Sequence, residues 1–414
     1  MKMLIVIFLL MMLMSTGCQY TPSEDSQEGV STTSSQCPDI SGMYNSEEIS
    51  SIRLKAEQGD VIAQNTIGAI YANGLGVSQD YKEAFYWYEK AAQQGFGVAQ
   101  SNLSRMYVFG RGIPLDYKKA FYWQTKAAEQ GYAIAQYDLG VTYQKGAGIP
   151  QDYKKAIHWY IKSGEQGFPP AKNNLSALIR ESKNNIKSSA EQGDAEAQFI
   201  LGFMYLRGEG VFKSKKQAYQ WFTKAAEKGN AEAQLKLGAM YFTEDEPDLK
   251  QAFYWITKAS EQGLPLAQQL LGNMYFSGTG VPENDKQGLH WMTKSAEQGI
   301  PESQNSLGKA YLHNIVFKDE KQASYWFIKA GKQGHAESQL LIGMLYYLGK
   351  GVAKDYIRSC AWLLLAERNG NKDAKNFLDK TRKDRSFGTL TPSQANECEK
   401  LSRELETKYL CIEK

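Results

Sequence analysis

Eight tryptophans stand in this chain of 414 residues, and their spacing restricts the fold more than any other feature. Trp87, Trp123, Trp159, Trp221, Trp255, Trp291, Trp326 and Trp362 are separated by 36, 36, 62, 34, 36, 35 and 36 residues. A second marker is the glycine that ends each Ala-Glu-Gln-Gly-like stretch. It falls at Gly59, Gly95, Gly131, Gly167, Gly193, Gly229, Gly263, Gly299, Gly334 and Gly370. Two independent markers on one period describe a tandem array of a single supersecondary unit. An array also accounts for the length. One hydrophobic core stops growing near about 250–300 residues, whereas a repeat buries its face only against its neighbours.

Within a unit the pattern reads helix, loop, helix. Ala63, Ile67, Ile70 and Tyr71 fall at i, i+4, i+7 and i+8, one face of a helix. Gly74 and Gly76 end it, where tight or left-handed backbone excludes a side chain. Asp80 then starts a second helix, with Glu83 placed to complete a capping box, and Ala84, Trp87, Tyr88 and Ala91 continue the apolar stripe. Seven residues before each tryptophan stand Asp80, Asp116, Asp152, Ser214, Asp248, Asn284, Asp319 and Asp355. All are favoured N-cap types, each contributing about 1 kcal/mol. These features predict an all-α, right-handed α-solenoid of antiparallel helix hairpins, about nine units with one truncated. The truncated unit, 168–193, lacks both the Gly-x-Gly loop and a tryptophan. Its second helix is expected to be shortened, changing the stacking angle and dividing the array into three and five units. Thr391, Pro392 and Gln394 supply N-cap, N1 and N3 of a last helix closing the array.

The N-terminus follows different rules. Lys2 precedes an apolar run from Met3 to Met14, then Ser15, Thr16, Gly17 and Cys18. Charge, a short apolar stretch and small residues describe an export signal. Twelve residues span about 18 Å as a helix, short of a hydrocarbon layer of about 30 Å. Ser-Thr-Gly-Cys after such a run resembles a bacterial lipobox, departing from it at Ser15, where leucine is usual. That resemblance implies lipidation of Cys18 and a membrane anchor, and Gln19 after the cysteine resembles outer-membrane members. The expected organisation is a signal peptide over 1–17, lipidated Cys18 and a Ser/Thr-rich tether over 18–45, the repeats over 46–387, and a terminal helix and tail over 388–414. The expected place is the cell envelope, on an outer-membrane lipoprotein facing the periplasm or the surface. Export also permits disulfides. Cys398 and Cys411 are close in sequence beyond the repeats and are the favoured pair among three possible pairings of four cysteines.

The repeat resembles the Sel1-like repeat family, a relative of the tetratricopeptide repeats. The marks are Ala197-Gln198, Leu201-Gly202 with Tyr205, Gly208 to Val211, then Ala218, Trp221, Lys224, Ala225 and Ala226. They recur over about residues 50–370. The resemblance implies an adaptor that binds protein rather than an enzyme, with the first helices on the concave face. Exported members of this kind include immunity proteins against delivered lipase-type toxins. An envelope scaffold for cell-wall or polysaccharide machinery and a host-protein-binding virulence factor are the alternatives. A penicillin-cleaving activity attributed to cysteine-rich relatives does not suit a chain without a cysteine pair in each unit.

Other chemistries find little support. Net charge is +3, with 48 Lys and Arg against 45 Asp and Glu, and no basic stripe marks a nucleic-acid partner. The Gly-x-Gly copies at Gly74, Gly110, Gly146, Gly208, Gly278 and Gly349 join helix to helix and lack the P-loop Lys-Ser/Thr pair. His158, His290, His313 and His335 are scattered, so neither a metal nor a cofactor is expected. The partner expected is a protein, with a secreted lipase effector as the specific form. Lattice points that stay constant between units read as packing, and those that vary read as surface. On first helices the varying points lie one, five and about nine residues after the glutamine, on one ridge. Arg105, Phe109, Tyr137, Phe199, Phe203 and Arg207 occupy that ridge and are the side-chain types that anchor interfaces. The tryptophans read as structural core.

Overall fold

In the computed structural model, residues 44–243, 246–314, 316–383 and 391–409 are described. The export signal, Cys18, most of the tether and Cys411 lie outside these residues. First helices run over Val61–Asn73, Gly97–Phe109, Ala133–Lys145, Ala195–Arg207, Ala231–Phe242, Pro265–Ser277, Pro301–His313 and Ala336–Leu348. Their second helices are Tyr81–Gln93, Tyr117–Glu129, Tyr153–Glu165, Lys215–Glu227, Leu249–Glu261, Asp285–Glu297, Glu320–Lys332 and Tyr356–Arg368. The chain divides into two compact units, one ending at Ser182 and one beginning at Lys183. Each is an all-α solenoid in which the repeat helices pack on the helices before and after them, and the terminal helix Pro392–Tyr409 packs on Tyr356–Arg368. The first opens with Ser46–Glu57 and holds three hairpins; the second holds five and closes with Lys372–Lys383 and Pro392–Tyr409.

Each hairpin closes on a point where the first helix carries almost no side chain. A Cβ added at Gly68, Gly140, Gly202, Gly238, Gly308 or Gly343 would lie 2.6–2.8 Å from Tyr88, Tyr160, Phe222, Ile256, Phe327 or Leu363 respectively. Those large residues directly follow the tryptophans, and all are buried. Glycine here admits a close approach of two helices. Only the 97–132 hairpin departs from glycine, with Ser104 facing a second helix whose corresponding residue is Gln124. The tryptophans act differently from expectation: Trp87, Trp326 and Trp362 are buried, while Trp123, Trp159, Trp221, Trp255 and Trp291 are half-buried. They join successive hairpins. Trp159 packs against the cluster that holds Ala127 and Ala128, and Trp326 shares a cluster with Met292 and Ala296, all from the preceding hairpin.

Buried glutamines form a second seam between hairpins. Nε2 of Gln64, Gln100, Gln136, Gln234, Gln268, Gln304 and Gln339 donates to the backbone carbonyl eight residues earlier, at 2.9–3.3 Å. That carbonyl ends the preceding helix, where helical acceptors lack partners. Each Oε1 then accepts from an amide at the end of its own second helix, as from Gln94, Gln130, Gln166, Gln262, Gln298, Gln333 and Asn369. Gln198 donates to Ala190 in the same way. At its amide partner's position stands Lys228, whose Nζ goes to the Gly193 carbonyl, leaving the buried Gln198 Oε1 without a partner.

All eight expected N-caps hold their second helices through side-chain acceptance of backbone N–H groups. The box drawn from Asp80 to Glu83 is half right. Asp80 accepts from Lys82 and Glu83, but its own N–H donates to the Tyr71 carbonyl, and the Glu83 carboxylate receives the Trp87 indole N–H instead. The box at Thr391 and Gln394 is complete in both directions.

The truncated unit corrects another expectation. No shortened second helix is present; Pro169–Glu191 is one helix of 23 residues, and the boundary between the compact units falls within it. Its first thirteen residues match a first helix in length, and its end carries the Ala-Glu-Gln-Gly close of a second helix. The missing turn and the missing helix start remove the break between them.

The disulfide expectation also requires correction. Cys398 is bonded to Cys360, with Cα atoms 5.8 Å apart, and not to Cys411. Pro392–Tyr409 lies along Tyr356–Arg368, where Leu405 joins Ala361, Trp362 and Leu365 in one apolar cluster, so packing sets the pair rather than sequence proximity.

Replacing Lys228→Gln should supply the missing donor to Gln198 and raise unfolding free energy by about 1 kcal/mol, read from denaturant midpoints. The double change Cys360→Ser and Cys398→Ser opens a link across 38 residues. A cost of up to about 4 kcal/mol is expected at the terminal helix, seen as faster hydrogen exchange over 392–405 with 61–109 unchanged.

Candidate protein-binding face

The varying ridge of the first helices is graded in depth. One residue after the glutamine, Asn65, Ser101, Phe199, Leu235, Gln269 and Asn305 are buried, whereas Tyr137 and Leu340 are half-buried. Three of these positions are matched to the next hairpin. Asn102 donates to Asn65, Gln269 to Ser306, and Ser338 to Asn305. Residues that change from unit to unit therefore include mated pairs as well as surface.

Two of the six expected docking residues belong to the core. Phe199 and Phe203 are 2% and 3% exposed. Phe199 packs on Phe222 with centroids 5.9 Å apart, and the exposed Arg207 covers Phe203 at 5.8 Å. Tyr137 is half-buried against Tyr160 and Phe168. Arg105 is a strut, its Nε 3.0 Å from the Asp138 carboxylate on the next first helix. Burial pushes the Asp138 carboxyl above the usual range, opposed by the Arg105 charge and hydrogen bond. In the second unit, Lys309 and Asn305 reach Glu337 across the same kind of seam. Beside them His335 caps a helix by accepting the Ser338 N–H at Nδ1, which requires a neutral ring, and burial lowers its pKa accordingly.

Phe109 alone of the six presents a large apolar surface, at 62% exposure. It sits at the loop end of the 97–132 hairpin with Leu115 and Tyr117, which are 52% and 41% exposed. The exposed Arg111 guanidinium lies 5.2 Å from the Phe109 ring and 5.6 Å from Tyr81. Left-handed Gly110 and Gly112 turn the chain there, and the second packs on the Tyr81 carbonyl. The edge continues along the chain: a Cβ on Gly148 would lie 2.6 Å from Tyr117.

Beyond Gly148 the edge meets a cleft of ≈ 530 Å³ lined by Tyr137, Val141, Gln144, Lys145, Gln151, Tyr153, Asn174 and Glu181. One wall is the first helix of the third hairpin; the other is the long helix. Tyr160 donates to Gln144 Oε1 at 2.6 Å, and burial pushes its phenol up to about 12, so it remains a donor. Asn174 Nδ2 donates to Tyr137 and Tyr160. Gln151 Nε2 donates to the Gln144 carbonyl and to the Tyr153 oxygen. Sequence reasoning had placed Tyr137 on this face but missed Leu115, Tyr117, Gln151, Tyr153, Asn174 and Glu181. A signal existed for part of this set: Asp-Tyr-Lys recurs at 80–82, 116–118 and 152–154, putting a tyrosine on each loop edge. Asn174 and Glu181 lie on the truncated unit, to which the ridge comparison was not extended. The arrangement offers rings, one guanidinium and amides, which is recognition chemistry. Among the described residues no three His, Cys, Asp or Glu side chains gather as a metal-binding group.

The Sel1 repeat profile matches residues 61–96, 97–132, 133–168, 195–230, 231–264, 265–300, 301–335 and 336–371. No curated protein matches the chain. Among solved structures, a protective antigen of uropathogenic Escherichia coli with an SLR fold is 33% identical, with 88% of this chain and 87% of that one covered and a TM-score of 0.48. A Sel1 repeat protein from Oxalobacter formigenes is 29% identical over 80% and 89%, with a TM-score of 0.42. An immunity protein from Pseudomonas aeruginosa is 24% identical over 53% and 81%, with a TM-score of 0.31.

Phe109→Ser should leave the thermal midpoint nearly unchanged, whereas Phe199→Ser or Phe203→Ser should cost about 3–5 kcal/mol, as buried ring truncations do. Equal losses at all three positions would remove the distinction between edge and core.

Proposed function

This chain belongs to the Sel1-repeat family, and from that premise we propose that it is an exported, lipid-anchored protein that holds another protein against the first-helix and loop-edge face of its repeats. One observation carries the reading: Phe109 stands exposed against Arg111, with Leu115 and Tyr117 exposed at the same loop end. Aromatic and arginine side chains dominate interface energetics, and an exposed apolar group of this kind marks a contact surface in a soluble array. The Gln100 seam and the Asp116 cap hold that edge in place, so it need not be ordered on binding. The role is binding, not catalysis.

Export is supported by the leader over residues 1–17 and the lipobox-like Cys18. The Cys360–Cys398 link agrees with an oxidising compartment. In its specific form the partner is a delivered lipase-type toxin and the protein confers immunity on the cell that makes it. That form rests on the family resemblance and on export to the envelope.

A photo-crosslinking amino acid at position 109 or 115, in cells carrying the full chain, should trap one protein. The same probe at Phe212, 97% exposed on a loop of the other unit, is the control. Identical adducts at 109 and 212, or none at 109, would count against the face. If the partner is a lipase toxin, expression should rescue cells from it, and Phe109→Ser should abolish rescue. A trapped synthase subunit would instead favour a scaffold. Cys18→Ser should abolish incorporation of labelled fatty acid; persistent labelling would refute the anchor.

A further inference from the structure

The edge that carries the functional reading ends at the cleft beside the long helix, and the cleft's chemistry narrows what enters it. We propose that it receives an extended segment of the partner chain bearing one carboxylate and one cationic side chain, the carboxylate on Lys145 and the cation on Glu181. This rests on the protein-binding reading and specifies one of its contacts.

Three observations converge. Lys145 on the Ala133–Lys145 helix and Glu181 on the long helix both line the cleft, and among the described residues neither has an ion-pair partner. The amides of the walls are half used. Gln144 accepts through Oε1 and Gln151 and Asn174 donate through nitrogen, leaving the Gln144 N–H₂ group and the Gln151 and Asn174 oxygens for a ligand. One spare donor and two spare acceptors suit peptide carbonyl and N–H groups. Finally, Tyr117 contacts the Gly148 turn, which lies in the chain between the lining residues Lys145 and Gln151, so the exposed edge and the cleft adjoin.

Competing ligands fit less well. A neutral saccharide leaves both charges unused, and an inorganic anion leaves Glu181 opposing it. The volume of ≈ 530 Å³ lies within the range of small-ligand clefts, about 300–1,000 Å³, which suits a short segment and not a folded domain.

The probe is a set of blocked dodecapeptides on a Gly–Ser background, each with a leucine followed by one Glu and one Lys in either order. Neutral, Glu-only and Lys-only peptides are the controls. Binding to the full chain is read by fluorescence polarisation. One order should bind more tightly than the other by on the order of five-fold, the scale of exposed ion pairs. The double change Lys145→Glu and Glu181→Lys should reverse that preference while leaving the thermal midpoint unchanged, since both side chains are exposed. Absence of binding, binding of neutral peptides equal to the charged ones, or an order preference that survives the swap would each overturn the proposal. Crosslinking at position 109 separates the two levels. If the charge-swapped chain traps its partner as the wild type does and the peptides fail, only the cleft proposal falls.

Discussion

Close approach of two helices at a glycine is the contact on which the rest depends. Where Gly202 meets Phe222, or Gly308 meets Phe327, a β-carbon would stand inside the van der Waals surface of the ring. With that contact made, the hairpin is narrow enough for the buried glutamine to reach both the preceding helix end and the end of its own second helix. The tryptophan then covers the preceding hairpin's alanines. The order of these contacts explains why the most visible residue is not the deepest. Tryptophan marks the seam between hairpins, and the less conspicuous residue after it closes the hairpin itself. A seam side chain remains partly open to water; a closing side chain does not.

The same hierarchy explains what was legible in the sequence. Helix positions, N-caps and the period could be read because they depend on local chemistry: aspartate at a fixed distance from tryptophan caps a helix whatever surrounds it. The inner ridge was legible only in part. Comparing units within one chain distinguishes residues that never change from those that do, but a residue matched to a changing neighbour also changes. Asn65 with Asn102, and Arg105 with Asp138, are such pairs, and they look like surface until their partners are known. Phe199 and Phe203 were misplaced on this ground, and Phe109 was correctly exposed because it lies one turn beyond the paired region. The Cys360–Cys398 bond was hidden for a related reason. The 38 residues between its ends return on themselves only because the terminal helix packs beside the last hairpin.

The 26-residue unit shows how a deletion in a repeat acts when the period is broken by about ten residues. A loss of one or two residues, as at 231–264 and 301–335, is absorbed in the loop, and the hairpin survives with its caps in place. Loss of the turn together with the next N-cap leaves no signal to stop the first helix. No Gly interrupts 169–191, and Leu178 stands fifteen residues before Gly193, where every other second helix has its N-cap, so helix propagation costs less than a break with unsatisfied backbone groups. The sequence therefore runs through. Lys172 stands at the place of the buried glutamine in this helix, so one link of the polar seam is absent as well.

That combination bears on recognition. A regular array offers each partner residue the same environment every 36 positions, which gives extent but little register. An irregular element breaks the degeneracy. Here the long helix brings Asn174 and Glu181 beside the third hairpin, and the exposed ring of Phe109 has no aromatic counterpart at the equivalent Asn73 or Lys145. Specificity requires features that competing registers cannot satisfy. Of the described surface of the first unit, the stretch from Phe109 through Tyr117 to the cleft is where such features are contiguous, since the hairpins on their own would let a partner slide by one repeat at little cost.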